Sequence, residues 1–92
     1  MKSPPVLPLY PADYLADTRH LTLEEHGAYL LLLMIAWRSP DCRLPDDDHQ
    51  LARMLGIHVQ RWRKLRQKLD PLFQKVDGLL EQKRLVAERK WS

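Results

Sequence analysis

TLEEHGAYLLLLMIAW, residues 22–37, is the stretch whose reading decides the fold. A threonine followed three residues later by a glutamate is a helix-start signature. Thr22 can accept from the Glu25 amide, and the Glu25 carboxylate can reach back to the Thr22 amide. Glu24 and Glu25 also stand in the first turn, where the positive end of the helix favours anions. Leu21, just before Thr22, takes the hydrophobic-staple position. From Ala28 to Trp37 all ten residues are apolar. A surface helix carries a stripe, whereas a helix apolar all round is enclosed by other elements. Ten such residues are too few for a bilayer, which takes about 20. The expectation is the central helix of one small domain, with the other segments packed around it. The alternative is a helix half covered by its own chain and half by a second copy, because so short a chain has little material for a full wrap.

Working outward, Pro4, Pro5, Pro8 and Pro11 predict an extended arm over residues 1–10, since proline fixes its own φ and keeps the preceding residue out of the helical region. Pro11 suits the first turn of a short helix, PADYLAD, placing Tyr14 and Leu15 on the core. The arm has one lysine and no uninterrupted apolar run, unlike a signal peptide. After Trp37, Ser39-Pro40-Asp41 ends the central helix and residues 39–44 read as a loop. Pro45-Asp46-Asp47-Asp48 starts the next helix by capping and first-turn charge. That helix turns Leu51, Ala52, Met54 and Leu55 inward and ends at Gly56, a left-handed C′ residue. A further helix runs over residues 59–69 and stops at Asp70-Pro71. Two helices joined by a short glycine-containing turn are a helix-turn-helix pattern.

Beyond Pro71 the period changes. Residues 72–76 are strand-like, Asp77-Gly78 is a strong hairpin-turn signal, and residues 79–83 return. A hairpin directly after a helix-turn-helix predicts a single, mainly α winged-helix domain over residues 1–92. Residues 84–92 read as a linker or a helix leaving the domain.

The net charge of +3 conceals a division: residues 1–48 carry four basic and eight acidic side chains, and residues 49–92 carry eleven and four. A basic half of net +7 beside an acidic half of net −4 suggests a face for a polyanion. Arg61, Arg63, Lys64, Arg66 and Lys68 fall within eight residues with no acid among them. At 3.6 residues per turn, Trp62, Leu65 and Leu69 share one face, with Gln60, Arg63, Lys64, Gln67 and Lys68 roughly opposite. Basic and amide side chains on such a helix neutralise phosphates and reach base edges in a major groove. Lys75 near the hairpin tip, and Lys83 and Arg84 on its return, could add backbone contacts. The candidate nucleic-acid-binding set is therefore Gln60, Arg61, Arg63, Lys64, Gln67, Lys68, Lys75, Lys83 and Arg84. The rival reading is a solvated helix face, since lysines and arginines must point somewhere, and it includes a protein-binding use of the same fold.

Enzymatic readings are weak, and no cofactor, metal or membrane partner is expected. His20, His26, His49 and His58 are scattered, with no pair four residues apart. The lone Cys42 excludes an internal disulfide and a cysteine metal set, which suits a reducing, cytoplasmic setting. Trp37 and Trp62 lie on apolar helical faces. Gly27 inside the central helix costs about 1 kcal/mol relative to alanine, and predicts a close backbone contact.

Tyr10, Asp13, Asp17-Thr18, Leu21-Thr22, Glu25-His26-Gly27-Ala28-Tyr29, Leu32-Leu33, Trp37 and Leu44-Pro45 together give the chain a specific pattern. In it the chain resembles the N-terminal domain of the YdaU-like prophage proteins, a domain of unknown function. The resemblance implies a bacterial or phage origin and a winged-helix-like module encoded near phage replication genes, often beside a helicase-loader-like gene. It carries over no catalytic residue and no DNA-contacting set. Its residues lie in the central helix, not the basic one, which favours a fold signature or a protein contact over base reading. The expected function is duplex DNA binding in phage or prophage replication. The alternative is docking of a replication protein through the apolar and acidic N-terminal half. A homodimer using that same half is expected on symmetry grounds.

Overall fold

The structure, a computed structural model, describes residues 6–91. The first half of the expected N-terminal arm therefore lies outside the described residues. The second half is irregular chain, with Leu7 against the core and Leu9 and Tyr10 exposed.

The first four helices begin and end close to where local sequence signals place them. Helix α1 (Pro11–Thr18) has a proline in its first turn, and helix α2 (Leu23–Arg38) opens with the complete capping box. The Thr22 amide donates to Glu25 Oε1 at 2.9 Å and the Glu25 amide to Thr22 Oγ1 at 3.2 Å. Helix α2 ends where Ser39 Oγ donates to the Ala36 carbonyl at 2.7 Å. Helix α3 (Asp48–Leu55) is capped by Asp47, which accepts from the Gln50 amide at 2.9 Å. It closes on Gly56 at φ +71°, a conformation glycine adopts without steric cost. Three residues later helix α4 (Val59–Leu69) begins, with His58 Nδ1 accepting from the Gln60 amide at 3.1 Å.

Three short strands form one antiparallel sheet in the order β1-β3-β2: β1 (Leu44–Pro45), β2 (Gln74–Val76) and β3 (Leu79–Glu81). Asp77 and Gly78 both have positive φ, +52° and +75°, as a two-residue turn of primed type requires. The expected loop over residues 39–44 thus ends in a strand, with Leu44 facing Leu80 and Pro45 facing Leu79. The expected strand from Leu72 is shorter, because Asp70–Leu72 forms a 3₁₀ turn that carries the chain out of α4. Lys83 does not continue the hairpin but opens helix α5 (Lys83–Trp91). Nor does this helix leave the domain: Leu85 is buried, and Arg89 donates to the carbonyls of Trp37 at 2.6 Å and Ser39 at 3.0 Å.

The core gathers Leu32, Leu44, Leu51, Trp62, Leu69 and Leu80 around one side of α2. Trp37 and Trp62 are both in it. The enclosure expected of α2 holds for that side only. Ala28, Tyr29, Leu32, Leu33, Ala36 and Trp37 are buried, whereas Leu23, Leu31 and Met34 on the far side are exposed. The chain has one layer of elements to pack against α2, so an apolar circumference was covered over half its girth. Leu15 and Met54, expected inward, are also exposed. Both helices are short, and neighbouring residues fill their buried turns: Tyr14 and Thr18 on α1, Leu51 and Ala52 on α3.

Candidate nucleic-acid interface

Helix α4 is amphipathic in the expected sense. Trp62, Leu65 and Leu69 are buried, and Gln60, Arg61, Arg63, Lys64, Gln67 and Lys68 are exposed. What the sequence pattern did not reveal is how much of the basic charge is engaged within the chain. Arg61 Nε donates to Glu24 Oε1 at 2.6 Å across to the first turn of α2. Arg63 Nε reaches Asp48 Oδ2 at 3.4 Å. Among the described residues, Lys64 and Lys68 make no ion pair.

Arg66 stands at the flank of the helix and is held by three carboxylates. Its guanidinium donates to Asp48 Oδ1 at 2.7 Å, to Asp70 Oδ1 at 3.0 Å and to Asp46. Asp48 Oδ1 also accepts from Trp62 Nε1 at 2.9 Å. The hydrogen bonds to Arg66, and then to Trp62, hold the Asp48 carboxyl below its usual range. The three acceptors raise the pKa of Arg66 although partial burial opposes its charge. The Asp46-Asp47-Asp48 run therefore has two roles. Asp47 caps α3, as expected, while Asp46 and Asp48 anchor α4 through Arg66. The cue was present as three aspartates where one suffices for a cap, but their partner lay 18 to 20 residues away.

The hairpin adds less charge than expected. Lys75 Nζ lies 3.6 Å from Asp70 Oδ2, so the hairpin sits beside the end of α4 with its lysine partly neutralised. Arg63, Arg66 and Lys75 thus face Asp46, Asp48 and Asp70 in a cluster of balanced charge. Arg84 belongs to a different part of the molecule. It pairs with Asp17 of α1 at 3.2 Å and lines a cavity of about 40 Å³ with Tyr10, Asp13, Tyr29 and Glu88. Lys83, at the start of α5, is exposed and unpaired among the described residues. Of the nine candidates, the structure brings Gln60, Arg61, Arg63, Lys64, Gln67 and Lys68 onto one helix, with Lys75 nearby.

Tyr14 Oη lies 2.8 Å from His26 Nδ1, joining α1 to α2. Tyr14 stacks on Tyr29, which meets Phe73 edge-on. Among the described residues no group of three or more His, Cys, Asp or Glu side chains could hold a metal ion. No described helix is long and apolar enough to cross a membrane.

Residues 5–89 match a family described as Protein of unknown function (DUF1376). The Uncharacterized protein YdaU of Escherichia coli (strain K12) is 41% identical over 73 residues, which is 79% of this chain and 25% of that protein. The chain thus spans about a quarter of the length of this curated relative. No solved structure matches.

Proposed function

The chain belongs to the DUF1376 family of proteins of unknown function, and we propose that it is a winged-helix module that binds duplex DNA through α4. Three features support the winged-helix reading. The elements run helix, strand, helix, helix, hairpin from α2 to β3, the sheet order is β1-β3-β2, and α3 and α4 are joined by a three-residue turn. In this reading α4 is the recognition helix and the β2–β3 hairpin the wing.

The observation that carries DNA binding is the solvent face of α4. Gln60, Lys64 and Gln67 line its centre, and Lys64 and Lys68 keep their charge uncommitted. Ammonium groups neutralise phosphates, and glutamine amides suit adenine edges in a major groove. From the resemblance to prophage proteins, we propose a phage or prophage replication region as the setting. The test is binding to random-sequence duplex DNA across a salt series. Two lysine–phosphate contacts contribute about −2 to the slope of log affinity against log salt, at about −0.9 per contact. The Lys64→Ala, Lys68→Ala double variant should flatten the slope by about 2. No binding at low salt, or an unchanged slope in the double variant, overturns the reading. A second reading, contact with another protein through the N-terminal half, is favoured by the exposed apolar side of α2.

A further inference from the structure

We propose that the exposed side of α2 is a two-fold interface with a second copy of this chain, the two α2 helices crossing antiparallel at Leu31. At 100° per residue, Leu23, Gly27, Leu30, Leu31, Met34 and Arg38 lie along one side of the helix, opposite the buried set. Leu23 is 92% exposed, Leu31 46% and Met34 45%. Three large apolar side chains in one row over about three turns form a patch, not scattered surface residues. A shallow groove runs beside the row between Leu31, Met34, Ile35 and Arg38.

Gly27 supplies an independent observation. It sits in the row between Leu23 and Leu31, inside the helix just past its first turn, where glycine weakens a helix relative to alanine. The close contact expected from the sequence is not made within the chain. A Cβ built on Gly27 meets no atom within 4 Å, and its φ is not positive. Nothing in the fold calls for glycine here, whereas a partner helix approaching along the row would use the bare backbone as a recess.

Charge then selects the partner and its direction. Glu24 flanks the row at the N-terminal end of α2, and Arg38 lies on it at the other end. They are fourteen residues apart, about 21 Å at 1.5 Å per residue, and Leu31 is midway. A two-fold axis at Leu31 brings Glu24 of each copy to Arg38 of the other, at both ends at once. A parallel pairing would oppose glutamate to glutamate and arginine to arginine. Glu24 contacts Arg61 through Oε1, which leaves Oε2 for the new pair. The antiparallel arrangement also aligns the helix dipoles favourably. A row that is its own complement in apolar surface and in charge fits a second copy.

Sedimentation of the 92-residue chain over the micromolar range tests this. The wild type should approach twice its 10.9 kDa mass, and Leu31→Glu should sediment as a folded monomer, its circular dichroism unchanged because the site is exposed. Glu24→Arg and Arg38→Glu should each weaken the dimer by about tenfold or more, the scale of one lost ion pair at an interface, and the double charge swap should restore it. Arg61→Ala should leave the dimer intact, separating loss of the internal pair from loss of the interface. Gly27→Ala should raise the melting temperature of the Leu31→Glu monomer yet weaken the dimer in the wild-type background. A wild type that stays monomeric overturns the proposal, as does a dimer indifferent to Leu31→Glu, a charge swap without rescue, a dimer lost in Arg61→Ala, or a Gly27→Ala dimer as tight as the wild type.

Discussion

The Arg66 guanidinium donates to the Asp48 carboxylate at 2.7 Å, fastening the last turn of α4 to the first turn of α3. This relationship sets the angle at which α4 presents its outer face, because Arg66 is bound at the same time from the α3 side by Asp46 and Asp48 and from the 3₁₀ turn by Asp70. The side chain is 16% exposed, so water screens it incompletely.

Arg66→Met should therefore destabilise the domain by about 2 kcal/mol, between the ~0.5 kcal/mol of an exposed pair and the ~3–5 kcal/mol of breaking a buried one. For a domain of this size that is a fall of roughly 8–16 °C in Tm. Arg66→Lys should recover less than half of it, because one ammonium cannot span three carboxylates as a planar fork does. Thermal melts of the three proteins decide this, and an Arg66→Lys protein as stable as wild type would mean that charge alone matters at this site.

Acid should loosen the same cluster. Asp48 is held below its usual value of 3.8, chiefly by its hydrogen bond from Arg66. The unfolded chain consequently binds this proton more readily than the folded one. The contribution of Asp48 is complete above about pH 4 and is lost as pH falls through the lowered value. Asp48→Asn should be less stable than wild type at pH 6, and the gap should narrow as pH falls through the lowered value, where wild-type Asp48 itself loses its charge. Urea midpoints at pH 6, 4 and 2 give the comparison, and a gap between the two proteins that stays constant with pH would show that Asp48 stabilises by shape and not by charge.

The parts legible in the sequence were those specified by neighbours along the chain. Thr22 and Glu25 are three residues apart, Asp77-Gly78 is a dipeptide, and Gly56 ends its own helix, so each carries its structure in local chemistry. What escaped was set by partners far apart. Arg66 on the α4 wheel is one more basic residue until Asp46, Asp48 and Asp70 are brought to it. Strand β1 is two residues long and exists because β3 passes beside it, so no periodicity could announce it. The all-apolar run in α2 showed that the helix is sticky on every side, but not which sides the chain was long enough to cover. The basic helix was read correctly as an exposed face, while the engagement of Arg61 and Arg63 with Glu24 and Asp48 was not, since both acids lie on other elements.

Leu32 and Leu31 are adjacent and chemically identical, and the fold treats them oppositely: Leu32 is 0% exposed and Leu31 46%. Leu32→Ala should cost about 2–5 kcal/mol through lost transfer energy and the cavity left behind. Leu31→Ala should change the stability of the monomer by no more than about 0.5 kcal/mol. Chemical denaturation of both variants at a concentration below any association checks the contrast. Equal losses would mean that α2 is rotated from the orientation described here.

Arg61 is committed in a different way from Arg66. Its pair with Glu24 is short, 2.6 Å, but the two side chains are 61% and 49% exposed. Exposed pairs of this kind hold by less than about 1 kcal/mol, whereas a phosphate contact also releases a condensed counterion. Arg61 should therefore exchange Glu24 for a DNA phosphate, and removing the competing carboxylate should favour that exchange. Glu24→Gln is expected to tighten binding to duplex DNA several-fold at low salt, and Arg61→Ala to flatten the salt slope by about 0.9, the value of one contact. Both measurements belong in the Leu31→Glu background, so that a change in self-association does not enter them. If Arg61→Ala leaves the slope untouched while Lys64→Ala reduces it, Arg61 serves the junction of α2 and α4 alone, and the binding face is narrowed to the lysines and glutamines at the centre of α4.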